Sequence, residues 1–402
     1  MIEIKDKKDC CGCTACESIC PKNCIKILAD DEGFVYPEID IQNCIECGLC
    51  RSVCPVINVA KDEAKEQQGF LVQHKDELIR KDSTAGGAFS AIAGYVLDKG
   101  GVVFGVQYDD ELNVRHTYVE KKEDLYKYRN SKYVQSDLRG VFKQVKSFLD
   151  SDRWVCFSGT PCQVEGLYHF LKKDYEKLVL VDVMCHAVPS PAVWDKYKTF
   201  MKEKYGNITN IRFRDKYYGY GYSSMSIYKD KNAKPIYHEG IDTDFMLRAF
   251  FSDICDRPSC YDCKFKKRYR VSDFTIWDCY KMNELCKEMN DDKGTTRVLI
   301  HTEKGAKIFN KVSSEVNFKE IEADILVEGV KEMYHSVAEN KYREDFFRDL
   351  NSLDFTELIN KYFSLGIKSK MEKYIRIALY KLKIYELVKK LAKKIIKNKS
   401  RM

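Results

Sequence analysis

Eight of the cysteines in the first 54 residues fall into two copies of one spacing, Cys10-x2-Cys13-x2-Cys16-x3-Cys20-Pro21 and Cys44-x2-Cys47-x2-Cys50-x3-Cys54-Pro55. Thiolates at this spacing bind paired 4Fe-4S cubes: three close cysteines wrap one cube, and the fourth, before proline, reaches the other. The two runs must therefore fold together. Cys10, Cys13, Cys16 and Cys54 are expected to hold one cluster, and Cys44, Cys47, Cys50 and Cys20 the second. Zinc fits worse, because it asks for two ligand pairs per tetrahedral site. Disulfides fit worse too, because such frameworks belong to secreted chains and MIEIKDKKD has no apolar signal segment. Cys11 and Cys24 lie outside the repeat and read as spare thiols.

A second set of cysteines is scattered: Cys162, Cys185, Cys255 and the pair Cys260-x2-Cys263. Cys162 and Cys185 each follow an apolar strand, the place where α/β proteins build ligand sites. A third cluster, a zinc site, a redox dithiol and buried thiols without a ligand all remain open on spacing alone. Cys156, Cys279 and Cys286 read as packing residues.

Strands and helices must position these groups. Ser83-Thr84-Ala85-Gly86-Gly87 precedes the helical pattern Phe89, Ile92, Ala93, Val96, Leu97, which stops at Gly100-Gly101 before the strand VVFGVQY. A second junction is WVCFSGTPC, where Thr160 suits an N-cap and Pro161 the first helical position. A third strand, LVLVDVMC, ends at Cys185-His186. Strands alternating with helices predict a mixed α/β, or α+β, core. The two glycine-bearing helix starts could each be an ordinary capped terminus or an anion cradle, since free N–H groups and the helix dipole favour phosphate. No GxGxxG or GxxxxGK motif is present.

The segments STAGGAFSAIAGYVLDKGGVVFGVQYD, SKYVQSDL, FSGTPCQVEGL, VLVDVMCHAVPSPAVW and RPSCYDCKFK together with RVSDFTIWD are where a family becomes recognisable. In that order they resemble the coenzyme F420 hydrogenase/dehydrogenase beta-subunit family, from about Phe70 to Ser336. The resemblance implies an oxidoreductase body that binds FAD and one further 4Fe-4S cluster and exchanges hydride with a small-molecule acceptor. It implies that Ser83, Gly86 and Gly87 line the FAD phosphates, and that Ser131, Lys132, Tyr133, Gln135 and Ser136 contact the flavin or its ribityl chain. For the third cluster it implies Cys162, Cys185, Cys260 and Cys263, with Cys255 in reserve. Relatives often read Gly-Asp-Phe-Trp-Gly where this chain has Trp277-Asp278-Cys279-Tyr280-Lys281, so the acceptor is open: coenzyme F420, another soluble acceptor, or none. The alternatives are an electron-transfer subunit, or a glycan or exopolysaccharide redox protein without F420 activity.

The expected organisation is a ferredoxin-like domain at 1–60, body segments at 70–180 and 181–340, and a helical basic tail at 341–402. Residues 367–402 carry 13 Lys/Arg against Glu372 and Glu386, a charge of +11, which leaves −4 of the total +7 for the rest. A mildly acidic body argues against nucleic acid. From Met371 to Lys397 the apolar positions Ile375, Ala378, Leu379, Leu382, Tyr385, Val388, Leu391, Ala392 and Ile395 recur at helical spacing among lysines. Such a helix suits an anionic membrane surface, or packing on the body or an acidic partner. The 18 cysteines and the absence of a targeting signal predict a cytoplasmic protein, peripheral at the inner membrane surface if the tail binds lipid, with a redox protein or the ferredoxin pool as electron partner. Anaerobically purified protein is expected to hold about twelve irons and one FAD per chain, counting three cubes of four; about eight irons would remove the body cluster, and colourless, zinc-loaded protein the N-terminal pair.

Overall fold

The computed structural model describes residues 1–230, 234–382, 384, 385, 387 and 388. Strands β1 (Ile25–Ala29) and β2 (Val35–Ile39) pair antiparallel, with Ile25 opposite Ile39. Alternation along β1 buries Ile25 and Ile27 on one face. That face forms a small core with Ile2, Cys16, Cys24, Cys50 and Cys54, flanked by the short helices Ala15–Ile19 and Leu49–Ser52.

The body is built on one eight-stranded mixed sheet. Its strands are β3 (Gln68–His74), β4 (Val102–Tyr108), β5 (Val114–Val119), β6 (Val155–Gly159), β7 (Leu178–Val183), β11 (Phe274–Asp278), β12 (Thr296–Ile300) and β13 (Val316–Ile321). They run β13-β3-β12-β11-β7-β6-β4-β5. The middle four, β4, β6, β7 and β11, are parallel, and the outer pairings are antiparallel. Parallel strands covered on both faces read as continuous apolar runs. Val102–Phe104, Val155–Phe157 and Leu178–Val181 do so, and all are buried.

Strands from both sides of residue 180 interleave in this sheet, so the blocks 70–180 and 181–340 share it. A second, three-stranded sheet of β8 (Asn210–Asp215), β9 (Ser224–Tyr228) and β10 (Tyr237–Gly240) packs with helices Pro191–Tyr205 and Phe245–Phe251 around Trp194, Tyr197 and Phe213. Helices Arg343–Ser352 and Phe355–Phe363 bury Phe346, Leu350 and Leu358 in the same core. Residues 343–363 are thus core before the tail begins.

The N-terminal unit is not tethered loosely to this body. Cys11, Cys13, Ala15 and Val53 lie in one apolar core with Phe142, Phe157, Val164 and Phe265 of the body. Gly166, on the helix Pro161–Leu171, makes room: a Cβ there would stand 2.8 Å from Cys13 Cβ and 2.9 Å from its Sγ. Gly33 allows the same approach to Ala192, whose backbone nitrogen would lie 2.5 Å from an added Cβ. The interdomain segment is fixed as well. Ala60 donates its N–H to Glu165 (2.6 Å) and accepts from Lys267 Nζ (2.6 Å), and Glu165 and Lys267 themselves form a buried ion pair at 2.7 Å. Arg343 grips the Glu32 carboxylate with both Nη atoms.

The helix Ile367–Lys381 reaches back to the three-stranded sheet region. Lys373 pairs with Glu239, Arg376 with Asp242, and Tyr380 meets Tyr222 at 5.2 Å between ring centroids. Ile367, Met371, Tyr374 and Ile375 stay exposed. Leu391, Ala392 and Ile395 of the basic amphipathic pattern lie outside the described residues. Among the described residues no helix is long and apolar enough to cross a membrane. Gly166→Leu is expected to cost about 1–3 kcal/mol of stability by overpacking the Cys13 contact, read as a lower midpoint in anaerobic thermal unfolding; an unchanged midpoint would mean that the two units are not packed as described.

Candidate functional site

Three small chambers and one large cavity are lined by the residues singled out in the sequence. The first chamber, about 20 Å³, is walled by Cys10, Cys13, Cys16 and Cys54, with Cys11 as a fifth thiol. The second, also about 20 Å³, is walled by Cys20, Cys44, Cys47 and Cys50, with Cys24 as the extra. Each chamber therefore draws on both cysteine runs. Cys24 Sγ lies 3.4 Å from Cys20 Sγ, so it is a wall residue of the second chamber rather than a remote thiol. The Ile2 N–H donates to Cys50 Sγ at 3.2 Å. Cys47 is exposed, which leaves the second chamber on the outside of the molecule and the first against the body.

The third chamber, about 30 Å³, contains Cys162, Cys185, Cys260 and Cys263, and Cys11 again. Its parts arrive from four places. Cys162 sits in the first turn of Pro161–Leu171, whose start is fixed by Thr160: its N–H donates to Gln163 Oε1 at 3.0 Å. Cys185 follows the carboxyl end of β7, and Lys266 Nζ donates to the carbonyls of Cys185 (2.6 Å) and His186 (2.9 Å). Cys260 ends a short turn begun by Pro258, and the Cys263 N–H donates to Ser336 Oγ at 2.9 Å. Cys255 is not part of this chamber; it is buried in the aromatic core with Trp194.

Burial first, and then the neighbouring thiols Cys162 and Cys263, push the Cys185 thiol up to about 12. Cys260 is raised as well, by burial first and then by Cys185, Asp256 and the other two thiols. Four such thiols lose their protons together only when metal cations replace them. The donor set fits an iron-sulfur cube in each chamber.

Beside the third chamber lies a cavity of about 520 Å³, within the range of cofactor sites. Cys11, Cys162, Cys185 and His186 line both. Ser83, Gly87, Ser131, Lys132, Tyr133, Gln135 and Ser136 all line the cavity. Gly86 does not; it lies behind the wall, with its N–H on Thr296 Oγ1 (2.8 Å) and its carbonyl on the His74 N–H (2.7 Å). A Cβ on Gly86 would meet the Val72 carbonyl at 2.0 Å, so glycine is required there by the sheet. Gly87, at φ +87°, starts the helix Ala88–Asp98 without a side-chain cap.

Several of these polar groups already have partners in the protein. Ser83 Oγ donates to the Ile79 carbonyl (2.7 Å), while Thr84 Oγ1 accepts the Ser131 N–H (2.8 Å). Ser136 Oγ accepts from Gln163 Nε2 (3.0 Å) and bonds His116 Nδ1 (2.9 Å), a ring whose Nε2 meets the Ser158 carbonyl (3.0 Å). Burial lowers that histidine to about 4, so it is neutral at pH 7. Lys132 Nζ donates to the carbonyls of Arg129 and Asn130, both at 3.2 Å, and burial, aided by Arg212, lowers it to about 7.

Comparison with known proteins decides the family. Residues 70–143 match "Coenzyme F420 hydrogenase/dehydrogenase, beta subunit N-term", and residues 152–324 match the carboxyl-terminal part of the same coenzyme F420 hydrogenase/dehydrogenase beta subunit. The chain belongs to that family. Its residues 9–58 match a 4Fe-4S dicluster domain, so this member of the beta-subunit family is an iron-sulfur oxidoreductase. A chain of the F420-reducing [NiFe] hydrogenase complex from Methanosarcina barkeri is similar at 16% identity, over 75% of this chain and 93% of that chain, with a TM-score of 0.44. No curated protein matches the chain.

At the end of β11 the cavity wall is organised around one buried arginine. Asp278 receives Arg214 Nη1 at 2.9 Å, and the same nitrogen donates to Tyr133 OH at 2.9 Å. Arg214 is buried, which disfavours its charge, yet Asp278 and the surrounding tyrosines keep it protonated. Tyr280 stacks on Tyr220 at 5.6 Å, bonds Arg214, and lines the cavity together with Lys281. Large side chains thus stand in the cavity wall. Arg214, Thr84 and Cys11 were not legible as site residues, because nothing in their local spacing marks them. Cys162→Ser is expected to lower iron by about four atoms per chain while leaving the N-terminal clusters in place, measured by anaerobic iron and sulfide analysis with EPR; full iron in that variant would take Cys162 out of the ligand set.

Proposed function

We propose that the chain passes electrons from the N-terminal pair of 4Fe-4S clusters, through a third cluster in the Cys162/Cys185/Cys260/Cys263 chamber, to FAD in the large cavity, and from there as hydride to a soluble acceptor, or in reverse. The observation that carries this reading is the sharing of walls. Cys11 borders the first chamber, the third chamber and the cavity, and Cys162 and Cys185 border the last two. Centres bound there would be near neighbours.

FAD, when bound, supplies the conversion between one-electron and two-electron chemistry that clusters alone cannot perform. The chain's own residues would hold it. Phe89, Tyr128, Tyr133, Phe250, Ile276 and Trp277 offer apolar wall, and Arg129, Lys132 and Arg297 offer positive charge. Two donors on cavity residues, Trp277 Nε1 and Arg297 Nε, are buried without a partner among the described residues, which suits a ligand with acceptor atoms. Lys216 Nζ, bonded to the carbonyls of Arg80 (2.8 Å) and Ala85 (2.7 Å), holds the Ser83–Gly87 turn in shape for a phosphate. Tyr280 and Lys281 would face the acceptor, and they make coenzyme F420 itself only one candidate. The electron donor would be a redox protein docking at the exposed second chamber, with the body cytoplasmic and the basic tail making peripheral contact with lipid.

Reconstituted full-length protein is expected to hold about twelve irons and one FAD per chain. Lys132 gains its proton as pH falls through about 7, so FAD affinity should weaken as pH rises from about 6 to about 8. Lys132→Met should bind about 10-fold more weakly at the acidic end and lose that dependence; fluorescence titration of flavin reads both. Protein with full iron that takes up no FAD would sink the proposal and leave an electron-transfer subunit.

A further inference from the structure

At the seam between the N-terminal unit and the body lies a buried cation whose hydrogen bonds all run to uncharged acceptors. Arg257 is 1% exposed and stands at the start of the Pro258–Cys260 turn. Its Nε donates to the Cys10 carbonyl (2.8 Å) and its Nη2 to the Val35 carbonyl (2.9 Å), both in the N-terminal unit. Its Nη1 donates to Gln135 Oε1 (2.9 Å) in the body. The guanidinium carbon lies 4.4 Å from the Tyr36 ring centroid and 5.4 Å from that of Phe34. Every one of these partners is neutral. The neighbouring Gly12 is held close, since a Cβ there would meet Gln135 Nε2 at 2.5 Å and Arg257 Nη1 at 2.9 Å.

A buried charge without a counter-charge is strongly unfavourable. Burial works against the Arg257 charge, and the groups whose ionised forms favour it are, in order, the Cys10 thiol, the Tyr36 phenol and the thiols of Cys11 and Cys260. Cys10 walls the first chamber and Cys260 the third, and Arg257 itself lines the third. A cube bound by four thiolates carries net negative charge, and nearby charge is one of the factors that sets its reduction potential.

We propose that Arg257 is the shared counter-charge of the first and third clusters, raising both reduction potentials together so that the electron crosses the domain seam without a large step. In that transfer the first cluster loses one electron and the third gains it, and the guanidinium remains charged throughout. Arginine suits the position because it stays protonated and its planar fork spreads three donors over three nitrogens that reach two domains at once, whereas the donors of lysine all sit on one nitrogen. This inference rests on the proposed electron path for its third-cluster half. Its first-cluster half stands on the N-terminal chamber alone.

The test uses full-length, anaerobically reconstituted protein, with EPR-monitored redox titration and iron analysis of wild type, Arg257→Gln and Arg257→Lys. The Cys162→Ser variant assigns which signal belongs to the third cluster. Arg257→Gln keeps donors but loses the charge. It is expected to retain its iron and to lower the reduction equilibrium of the first and third clusters at least 10-fold each, about 59 mV for a one-electron couple, with the exposed second cluster changing far less. Arg257→Lys keeps the charge and should stay within about 2-fold of wild type in potential, although it unfolds at lower temperature. Full iron with unchanged potentials in Arg257→Gln overturns the proposal. If the glutamine variant does not fold, a 10-fold fall in Arg257→Lys overturns it equally. Wild type with about eight irons would defeat the proposed path, while the shift of the first cluster in Arg257→Gln would still decide the role of the arginine.

Discussion

The packing of the Cys10–Ile19 segment against the helix Pro161–Leu171 is the contact on which the rest of the arrangement depends. Electrons move between centres only when the centres are held close, and two domains on a loose linker would not keep them so. Here Gly166 removes the side chain that would block Cys13, and Ala15 and Val53 complete a core begun by Phe142 and Phe157. Apolar burial at this seam supplies the attraction. Directional bonds then fix the angle: the Glu165–Lys267 pair clasps Ala60, and Arg343 clasps Glu32. A buried ion pair adds little net stability but penalises any packing that would leave its charges unmatched.

The sheet supplies the second constraint. Its parallel strands end on one side of the molecule, and side chains that follow those ends converge there. Gly159-Thr160-Pro161-Cys162 follows β6, Cys185 follows β7, and Asp278 closes β11. The third chamber and the large cavity are consequences of that convergence. Because the N-terminal unit covers the same edge, Cys11 reaches both spaces without belonging to the repeated ligand pattern.

Positive groups are buried at or near the cavities of a protein whose residues 1–366 sum to −4. Lys132 and Lys216 are each brought to about 7 by burial, Arg214 is held charged by Asp278, and Arg257 has only neutral bonding partners. Cations kept in this way near cavities are poised to respond to whatever negative charge occupies them. The contrast with the tail is instructive. There Lys373 and Arg376 are paired with the partly exposed acids Glu239 and Asp242, contacts that are individually weak.

Much of the chemistry was readable from the chain because ligand spacing is local. Two CxxCxxCxxxCP runs state their own pairing, and the strand-turn-helix junction at Thr160-Pro161 states its own cap. The apolar runs of β4, β6 and β7 likewise announce buried parallel strands. What only the tertiary structure decided is which distant residues meet. No spacing shows that Gly86 serves the sheet while Thr84 faces Ser131, that Cys255 packs beside Trp194, or that residues 343–363 fill the core. Nor does it show that Arg257 joins Cys10, Val35 and Gln135 across the domain seam. Short-range patterns mark the N-terminal thiols, because three of the four repeat cysteines in each chamber lie a few positions apart, whereas the third chamber gathers its four from distant parts of the chain. The surroundings of those residues depend on contacts spanning more than a hundred positions, and these exist only once the sheet has brought both halves of the chain together.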